Sequence, residues 1–151
     1  MGTGAAAPWS RWRCARSLSL TTPPVLSNPA AMLSKIAVCR LVDLPDGDSR
    51  GFDPLNTGRD SCIVVRQGER VYSYQNACPH VGGSPLAWRK HQYLNADKSH
   101  IVCSGHGALF DLRTGVCTLG PCVGERLQSI ENSIDPNGHV FLHINHLETT
   151  Q

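Results

Sequence analysis

Two short motifs dominate the segment 78–107, which reads CPHVGGSPLAWRKHQYLNADKSHIVCSGHG. The first is Cys78-Pro79-His80-Val81-Gly82 and the second is Cys103-Ser104-Gly105-His106-Gly107, so each supplies one thiol and one imidazole. Spacings this short let one tight loop aim both side chains at one metal centre, and the glycines permit the positive φ angles that such loops need. The motifs therefore predict a single site with four ligands: Cys78, His80, Cys103 and His106.

The order of the ligands bears on which metal they would bind. Zinc fingers usually pair C-x₂₋₄-C with H-x₃₋₅-H, whereas each motif here mixes one cysteine with one histidine. Mixed pairs suit a two-iron cluster in which both thiolates bind one iron and both imidazoles bind the other. A structural zinc site and a motif that has lost its metal are the alternatives that the spacing leaves open.

The segments on either side of the motifs favour β structure. From Lys35 onward, short runs rich in Val and Ile are separated by turn residues, and helix signals are nearly absent. The pattern predicts an all-β sandwich or open barrel over residues 35–146, with the chemistry on loops at one end and a C-terminal tail at 147–151. We expect strands over 36–44, 62–65, 71–74, 101–103, 109–112, 127–134 and 140–144, and turns at 67–69, 111–115 and 136–138.

The motifs and their surroundings resemble the Rieske family of iron–sulfur proteins. The resemblance continues through residues 106–111, which read HGALFD, and through Gly120-Pro121-Cys122, and it covers the chain from about Ile36 to Ile144. It implies a β-sandwich with a small cluster-binding subdomain at residues 78–122. It also implies one [2Fe–2S] cluster per chain, bound by the two cysteines and two histidines of the motifs, with both histidines coordinating through Nδ1.

Departures from the high-potential Rieske proteins indicate a low reduction potential. Those proteins have an additional cysteine in each loop and join the two in a disulfide, where this chain has Gly83 and Gly105. They also have a serine and a tyrosine that donate hydrogen bonds toward sulfur, where this chain has Ala108 and Phe110. Such hydrogen bonds stabilise the reduced state, so their loss lowers the potential. We predict a potential of roughly −150 mV, at the low end of the Rieske range.

The remaining cysteines and one tryptophan are expected to pack rather than to bind a ligand. Cys117 and Cys122 are close enough in sequence to form a disulfide, but in a reducing compartment we expect buried thiols. Cys39 and Cys62 fall in strand segments and are expected in the core. We expect Trp88 to be packed and half-buried, with a cover over the cluster or a partner surface as its alternatives.

The family resemblance implies an electron carrier. A Rieske oxygenase also needs a mononuclear iron bound by two histidines and a carboxylate in a large second domain, and 151 residues leave no room for one. We therefore assign no catalytic residue and expect a ferredoxin-like monomer that carries single electrons from a reductase to an oxygenase or other acceptor. The alternatives are a redox or oxygen sensor, and a small Rieske subunit of a reductase of the nitrite-reductase type.

Charge is distributed unevenly along the chain. Residues 1–42 contain five Lys and Arg and no Asp or Glu, whereas the remainder has a net charge of −3. The acid-free N-terminal segment 1–34, rich in Arg and Ser, predicts an organelle transit peptide, mitochondrial or alternatively plastid; if translation starts at Met32, the protein is cytoplasmic.

The acidic remainder disfavours nucleic acid as a partner. The chain has no apolar run of 18 residues, which disfavours a membrane span.

Overall fold

The structure is a computed structural model that describes residues 33–145. The segment predicted as a transit peptide lies outside the described residues except for its last two positions, and so does the predicted C-terminal tail at 147–151. The described chain forms nine strands and two short 3₁₀ turns, and none of its helical segments is long and apolar enough to cross a membrane. The strands are β1 (Leu33–Arg40), β2 (Ser49–Phe52), β3 (Cys62–Gln67), β4 (Arg70–Gln75), β5 (His100–Val102), β6 (Leu109–Asp111), β7 (Cys117–Leu119), β8 (Glu131–Ile134) and β9 (His139–Asn145).

The strands form three antiparallel sheets of three strands each, in the orders β1-β9-β8, β2-β3-β4 and β5-β6-β7. The first two sheets form the base of the molecule, and the third, with the loops around it, forms the smaller subdomain that contains both motifs. A bridge between Tyr74 and Ser129 joins the end of β4 to the segment that leads into β8. The predicted all-β class is confirmed.

Strand β3 lies between two hydrophobic cores, and its sequence explains why. The run Cys62-Ile63-Val64-Val65 is buried throughout, because alternate side chains of a strand point to opposite faces and both faces are covered here. Ile63 and Val65 pack in the core shared with the motif-bearing subdomain. Cys62 and Val64 pack in the second core, against Val140 and Leu142 of β9.

The strand predictions are correct in the hairpins and wrong where the chain changes direction. The predicted strand over 36–44 ends at Arg40, because residues 41–43 form a 3₁₀ turn. Of the predicted strand over 127–134, only Glu131–Ile134 is extended and paired with β9. Strands β2 and β7 were not predicted, since neither has the Val- and Ile-rich composition on which the prediction relied. The three predicted turns connect β3 to β4, β6 to β7 and β8 to β9.

Candidate metal centre

The first motif lies in a tight loop that follows β4. Residues Pro79–Val81 form one 3₁₀ turn, which ends at Gly82 in the left-handed conformation with a φ of 46°. The Cys78 backbone N–H donates to the Ser84 carbonyl at 2.8 Å, and the Ser84 N–H donates to the Val81 carbonyl at 2.9 Å. These bonds close the loop on itself, so that the Cys78 and His80 side chains are presented by a short, hydrogen-bonded segment.

The second motif connects β5 to β6 and is closed in a similar way. The Cys103 N–H donates to the Ala108 carbonyl at 2.9 Å, and the Gly107 N–H donates to the Cys103 carbonyl at 2.8 Å. Gly107 has a φ of 68°, which a residue with a Cβ rarely adopts. Because β5 and β6 are paired, the loop is held at the end of a hairpin.

The two loops bring all four predicted ligands to one end of the molecule. The Cys78 and Cys103 thiols are fully buried, whereas His80 is partly exposed and His106 is exposed. The Cys78 Sγ lies 3.5 Å from the His80 Nδ1, and the centroids of the two imidazole rings are 4.6 Å apart at an interplanar angle of 87°. Thiols thus occupy the interior of the site and imidazoles occupy its surface.

The environment of Cys78 acts on its pKa in both directions. Burial raises the pKa of the thiol most strongly, and the facing Cys103 thiol raises it further. The backbone N–H groups of His80 and Val81 lower this pKa, because they donate toward the Cys78 sulfur. A thiolate formed there when a metal binds is therefore stabilised by two backbone donors of its own loop.

A third segment, Gly120-Pro121-Cys122, packs against the second loop. A Cβ at Gly120 would lie 2.7 Å from the Ala108 Cα, and the φ of Gly120 is 116°, so glycine is required on two grounds. Cys122 and Cys117 are buried free thiols, as predicted, with 3.3 Å between their sulfurs. Burial is the main cause that raises the pKa of Cys122 to about 12, so this thiol is protonated at neutral pH. Of the other cysteines predicted in the core, Cys62 is buried and Cys39 is only partly buried.

The prediction for Trp88 is wrong. Its side chain is 82% exposed rather than half-buried. The segment between the motifs, residues 83–102, is called the spacer below. Its Leu86 and Tyr93 side chains are buried, at 0% and 1% exposed, and Trp88 lies between them on the outer side of the loop. Nothing in the local sequence distinguishes which of these apolar side chains turns inward.

The spacer is attached to the rest of the site by residues that sequence reasoning did not single out. The Asn76 side chain accepts a hydrogen bond from the Leu86 N–H at 2.9 Å and donates to the Asp60 carbonyl oxygen at 2.7 Å. The Asp60 carboxylate accepts a hydrogen bond from the Tyr93 hydroxyl at 2.8 Å and lies 3.6 Å from the Lys90 ammonium. A lone Asp and a lone Asn give no sequence signal, because their partners are distant in the chain.

The four side chains lie together, with the two thiols toward the interior and the two imidazoles toward the surface. Each side chain also has a neighbour of its own kind: the Cys103 thiol faces the Cys78 thiol, and the His80 and His106 rings are in contact. That arrangement fits two iron atoms with different ligands.

The model of the Rieske [2Fe-2S] domain family matches residues 34–133. The chain belongs to the Rieske family. Its cofactor is therefore a [2Fe–2S] cluster, and the two loops with their two thiols and two imidazoles have the donor set that a Rieske cluster needs. No curated protein sequence matches the chain significantly.

Solved structures of Rieske ferredoxins are similar to this Rieske chain along almost their whole length. The ferredoxin of carbazole 1,9a-dioxygenase from Nocardioides aromaticivorans IC177 has 29% identity and a TM-score of 0.54, and the match covers 73% of this chain and 96% of that one. A chain in the complex of reduced oxygenase and oxidized ferredoxin in carbazole 1,9a-dioxygenase has 26% identity and a TM-score of 0.56, with coverages of 72% and 92%. The Sphingomonas yanoikuyae B1 ferredoxin, at 22% identity, a TM-score of 0.56 and coverages of 74% and 99%, shares the fold.

Proposed function

We propose that this Rieske protein is a ferredoxin-like carrier of single electrons in which Cys78, His80, Cys103 and His106 bind the cluster. When bound, the [2Fe–2S] group supplies a one-electron redox couple. The observation that carries the proposal is the convergence of the two closed loops on one end of the fold, with the thiols buried and the imidazoles toward solvent.

The buried and exposed halves of the site have different roles in this proposal. Cys78 and Cys103 exclude water from the inner side and hold the cluster against the hydrophobic core. His80 and His106 extend to the surface, where a partner can approach within a short distance of a ligand. With a cluster bound, the imidazole side would be the face through which an electron is exchanged.

For the partners, we propose a reductase as the donor and an oxygenase or another redox protein as the acceptor. Support comes from the 29% identity to the ferredoxin of carbazole 1,9a-dioxygenase, and from a similar chain that is in a complex with an oxygenase. We also propose that the carrier is a monomer that docks transiently, since rapid electron transfer requires a partner to leave as readily as it binds.

The electron paramagnetic resonance spectrum of the dithionite-reduced protein tests the ligand assignment. We expect the low average g value of a cluster with mixed cysteine and histidine ligation. His80→Ala and His106→Ala are each expected to abolish this signal, and Cys78→Ser and Cys103→Ser to prevent stable cluster incorporation.

Matched control variants keep the result interpretable. Cys62→Ser changes a buried cysteine and His139→Ala changes a histidine, and both residues lie outside the two loops. Both controls are expected to keep the signal. A colourless protein that contains zinc, or a signal of the all-cysteine type, would show that the assignment is wrong.

A further inference from the structure

An exposed tryptophan is the most unusual surface feature of the subdomain. Trp88 is 82% exposed, the highest fraction among the exposed large apolar side chains of residues 33–145. Four of the six such side chains among residues 33–145 fall within 78–123: Val81, Trp88, Leu119 and Val123. Tryptophan is enriched at interfaces, so the exposure of Trp88 makes it a candidate contact for a partner.

The loop that carries Trp88 is fixed on both sides. Leu86 is completely buried and its backbone N–H is held by Asn76, while Tyr93 is buried and hydrogen-bonded to Asp60. A loop with two buried anchors loses little conformational entropy when a partner binds. The exposure of Trp88 is thus a consequence of how the loop is held.

Trp88 is also close to the cluster-binding loops along the backbone. The Leu86 carbonyl accepts a hydrogen bond from the Ser104 N–H at 2.7 Å, and Ser104 follows Cys103 directly. Only Ala87 separates Leu86 from Trp88. The tryptophan therefore borders the second motif, on the part of the molecule where the electron is proposed to leave.

The charge next to Trp88 is positive. Residues 83–96 contain Arg89 and Lys90 and no Asp or Glu. The Lys90 ammonium lies 3.6 Å from the Asp60 carboxylate, so part of its charge is compensated. Arg89 is exposed and makes no ion pair with any described residue, so its guanidinium remains available to a partner.

We propose that Trp88 and Arg89 form a docking surface for an acidic protein partner in electron transfer; this rests on the proposed function and adds the charge and contact chemistry of the partner. Trp and Arg are the residues most enriched at energetically important interface positions. In this arrangement the tryptophan contacts an apolar depression on the partner, and the guanidinium binds a carboxylate at its rim.

A protein partner is favoured over a lipid surface by the position of the pair. Trp with Arg is also a combination found at membrane interfaces. A membrane, however, neither delivers nor accepts an electron, and Trp88 lies beside a loop whose histidine is exposed. Binding to anionic vesicles is therefore an outcome that the experiment must be able to detect.

Cytochrome c in two forms provides probes of opposite surface charge. The native protein is basic, and full succinylation replaces its lysine charges with carboxylates. The reduced, cluster-loaded protein is mixed with each oxidised form under anaerobic conditions, and the second-order rate constant is measured by stopped flow at low salt and at ~0.3 M salt. We expect faster oxidation by the succinylated form at low salt, with the difference shrinking as salt is added.

Two pairs of variants test the two residues separately. Arg89→Glu should slow oxidation by succinylated cytochrome c about tenfold at low salt, whereas Arg70→Glu, the same charge change at the start of β4, should alter it less than about twofold. Trp88→Ala should lower the rate several-fold at both salt concentrations, because salt does not screen an apolar contact. Val42→Ala, a truncation at an exposed site outside the subdomain, should not.

The outcomes distinguish the docking surface from the carrier function. One outcome is that both cytochromes are reduced while Arg89→Glu changes the rate constant no more than Arg70→Glu does, or Trp88→Ala no more than Val42→Ala does. In either case the docking assignment is wrong and the electron-carrier function is retained. If the cluster-loaded protein reduces neither form, the carrier function fails and the surface with it. Binding to phosphatidylserine vesicles that depends on Trp88, without any effect on the rates, would replace the protein partner with a membrane. The reduction potential of each variant is measured as well, and a rate difference that a shift in potential fully accounts for would also show that the docking assignment is wrong.

Discussion

At the scale of single residues, the site separates the two kinds of ligand by solvent exposure. Cys78 and Cys103 are buried, and His106 is exposed. Hydrogen bonds that reach the cysteine sulfurs therefore come from the protein, and for Cys78 they include the backbone N–H groups of its own loop. Substitutions can add side-chain hydrogen-bond donors at the positions where high-potential Rieske proteins have such donors.

Ala108→Ser is expected to raise the reduction potential. The position is fully buried in the second loop, and the serine hydroxyl would add a donor of the kind that high-potential Rieske proteins have there. A net gain of about 1 kcal/mol in the reduced state corresponds to roughly 40 mV for a one-electron couple. A spectroscopic redox titration measures the change. Ala87→Ser, which adds the same hydroxyl in the spacer, should leave the potential unchanged; an unchanged or lower potential in Ala108→Ser would contradict the prediction.

Tyr93→Phe is expected to destabilise the protein by about 1–3 kcal/mol, because it leaves an oxygen of the buried Asp60 carboxylate without its donor. Burial, followed by the bond to Asp60, raises the pKa of Tyr93, so the hydroxyl remains protonated and able to donate at neutral pH. Urea unfolding measures the change. Tyr72→Phe is the control, since the Tyr72 hydroxyl has no hydrogen bond to a described residue, and it should cost less than about 0.5 kcal/mol. Equal losses in the two variants would mean that the hydrogen bond contributes nothing.

At the scale of elements, the β6–β7 turn depends on one carboxylate. Asp111 accepts hydrogen bonds from the Thr114 hydroxyl and from the N–H groups of Arg113 and Thr114. These bonds, led by that from the Thr114 hydroxyl, lower the pKa of Asp111. The turn connects the strand that follows the second motif to the segment that ends at Cys122, so its stability affects two sides of the site.

Asp111→Ala is expected to destabilise the protein by about 1–3 kcal/mol at neutral pH. Because the folded-state pKa is lower than the unfolded value, the carboxylate contributes its full stabilisation above pH ~4 and loses it as the pH falls through the folded-state pKa. The difference between wild type and variant in urea unfolding should therefore shrink toward pH 3. Glu69→Ala, in the exposed β3–β4 turn, should change stability by less than about 0.5 kcal/mol. A difference that does not vary with pH would contradict the prediction.

At the scale of the whole molecule, two cores meet at β3, so neighbouring residues on that strand belong to different parts of the protein. Val65 packs with the core of the cluster-binding subdomain, and Val64 packs with the core of the base. Both are fully buried. The same Val→Ala substitution can therefore be made in either core.

Val64→Ala and Val65→Ala are each expected to lower the free energy of unfolding by about 1–3 kcal/mol. Only Val65→Ala should also accelerate loss of the cluster, because its cavity opens next to the packing that supports Cys78 and Cys103. Loss of visible absorbance at a temperature below the unfolding transition measures the rate. Equal rates in the two variants would mean that the two cores do not act separately.

Features that depend on neighbouring residues were predictable from the amino-acid sequence alone. The two motifs set the ligand types and the loop shapes through spacings of one and two residues. Asp111 and the glycines set the turns through local hydrogen bonds and backbone angles. The Val- and Ile-rich runs set the hairpins. These loops, turns and hairpins depend on short-range effects, so a single amino-acid sequence is enough to predict them.

Features that depend on residues distant in the chain became visible only in the folded structure. Asp60 acquired its role only when Tyr93 and Lys90 were brought to it, and β2 is extended because β3 supplies its hydrogen-bonding partner. The orientation of the spacer followed the same rule, since Leu86 and Tyr93 filled the available core and Trp88 was left in solvent. Burial is a competition among all the apolar side chains of the fold, and its result is not contained in any one segment.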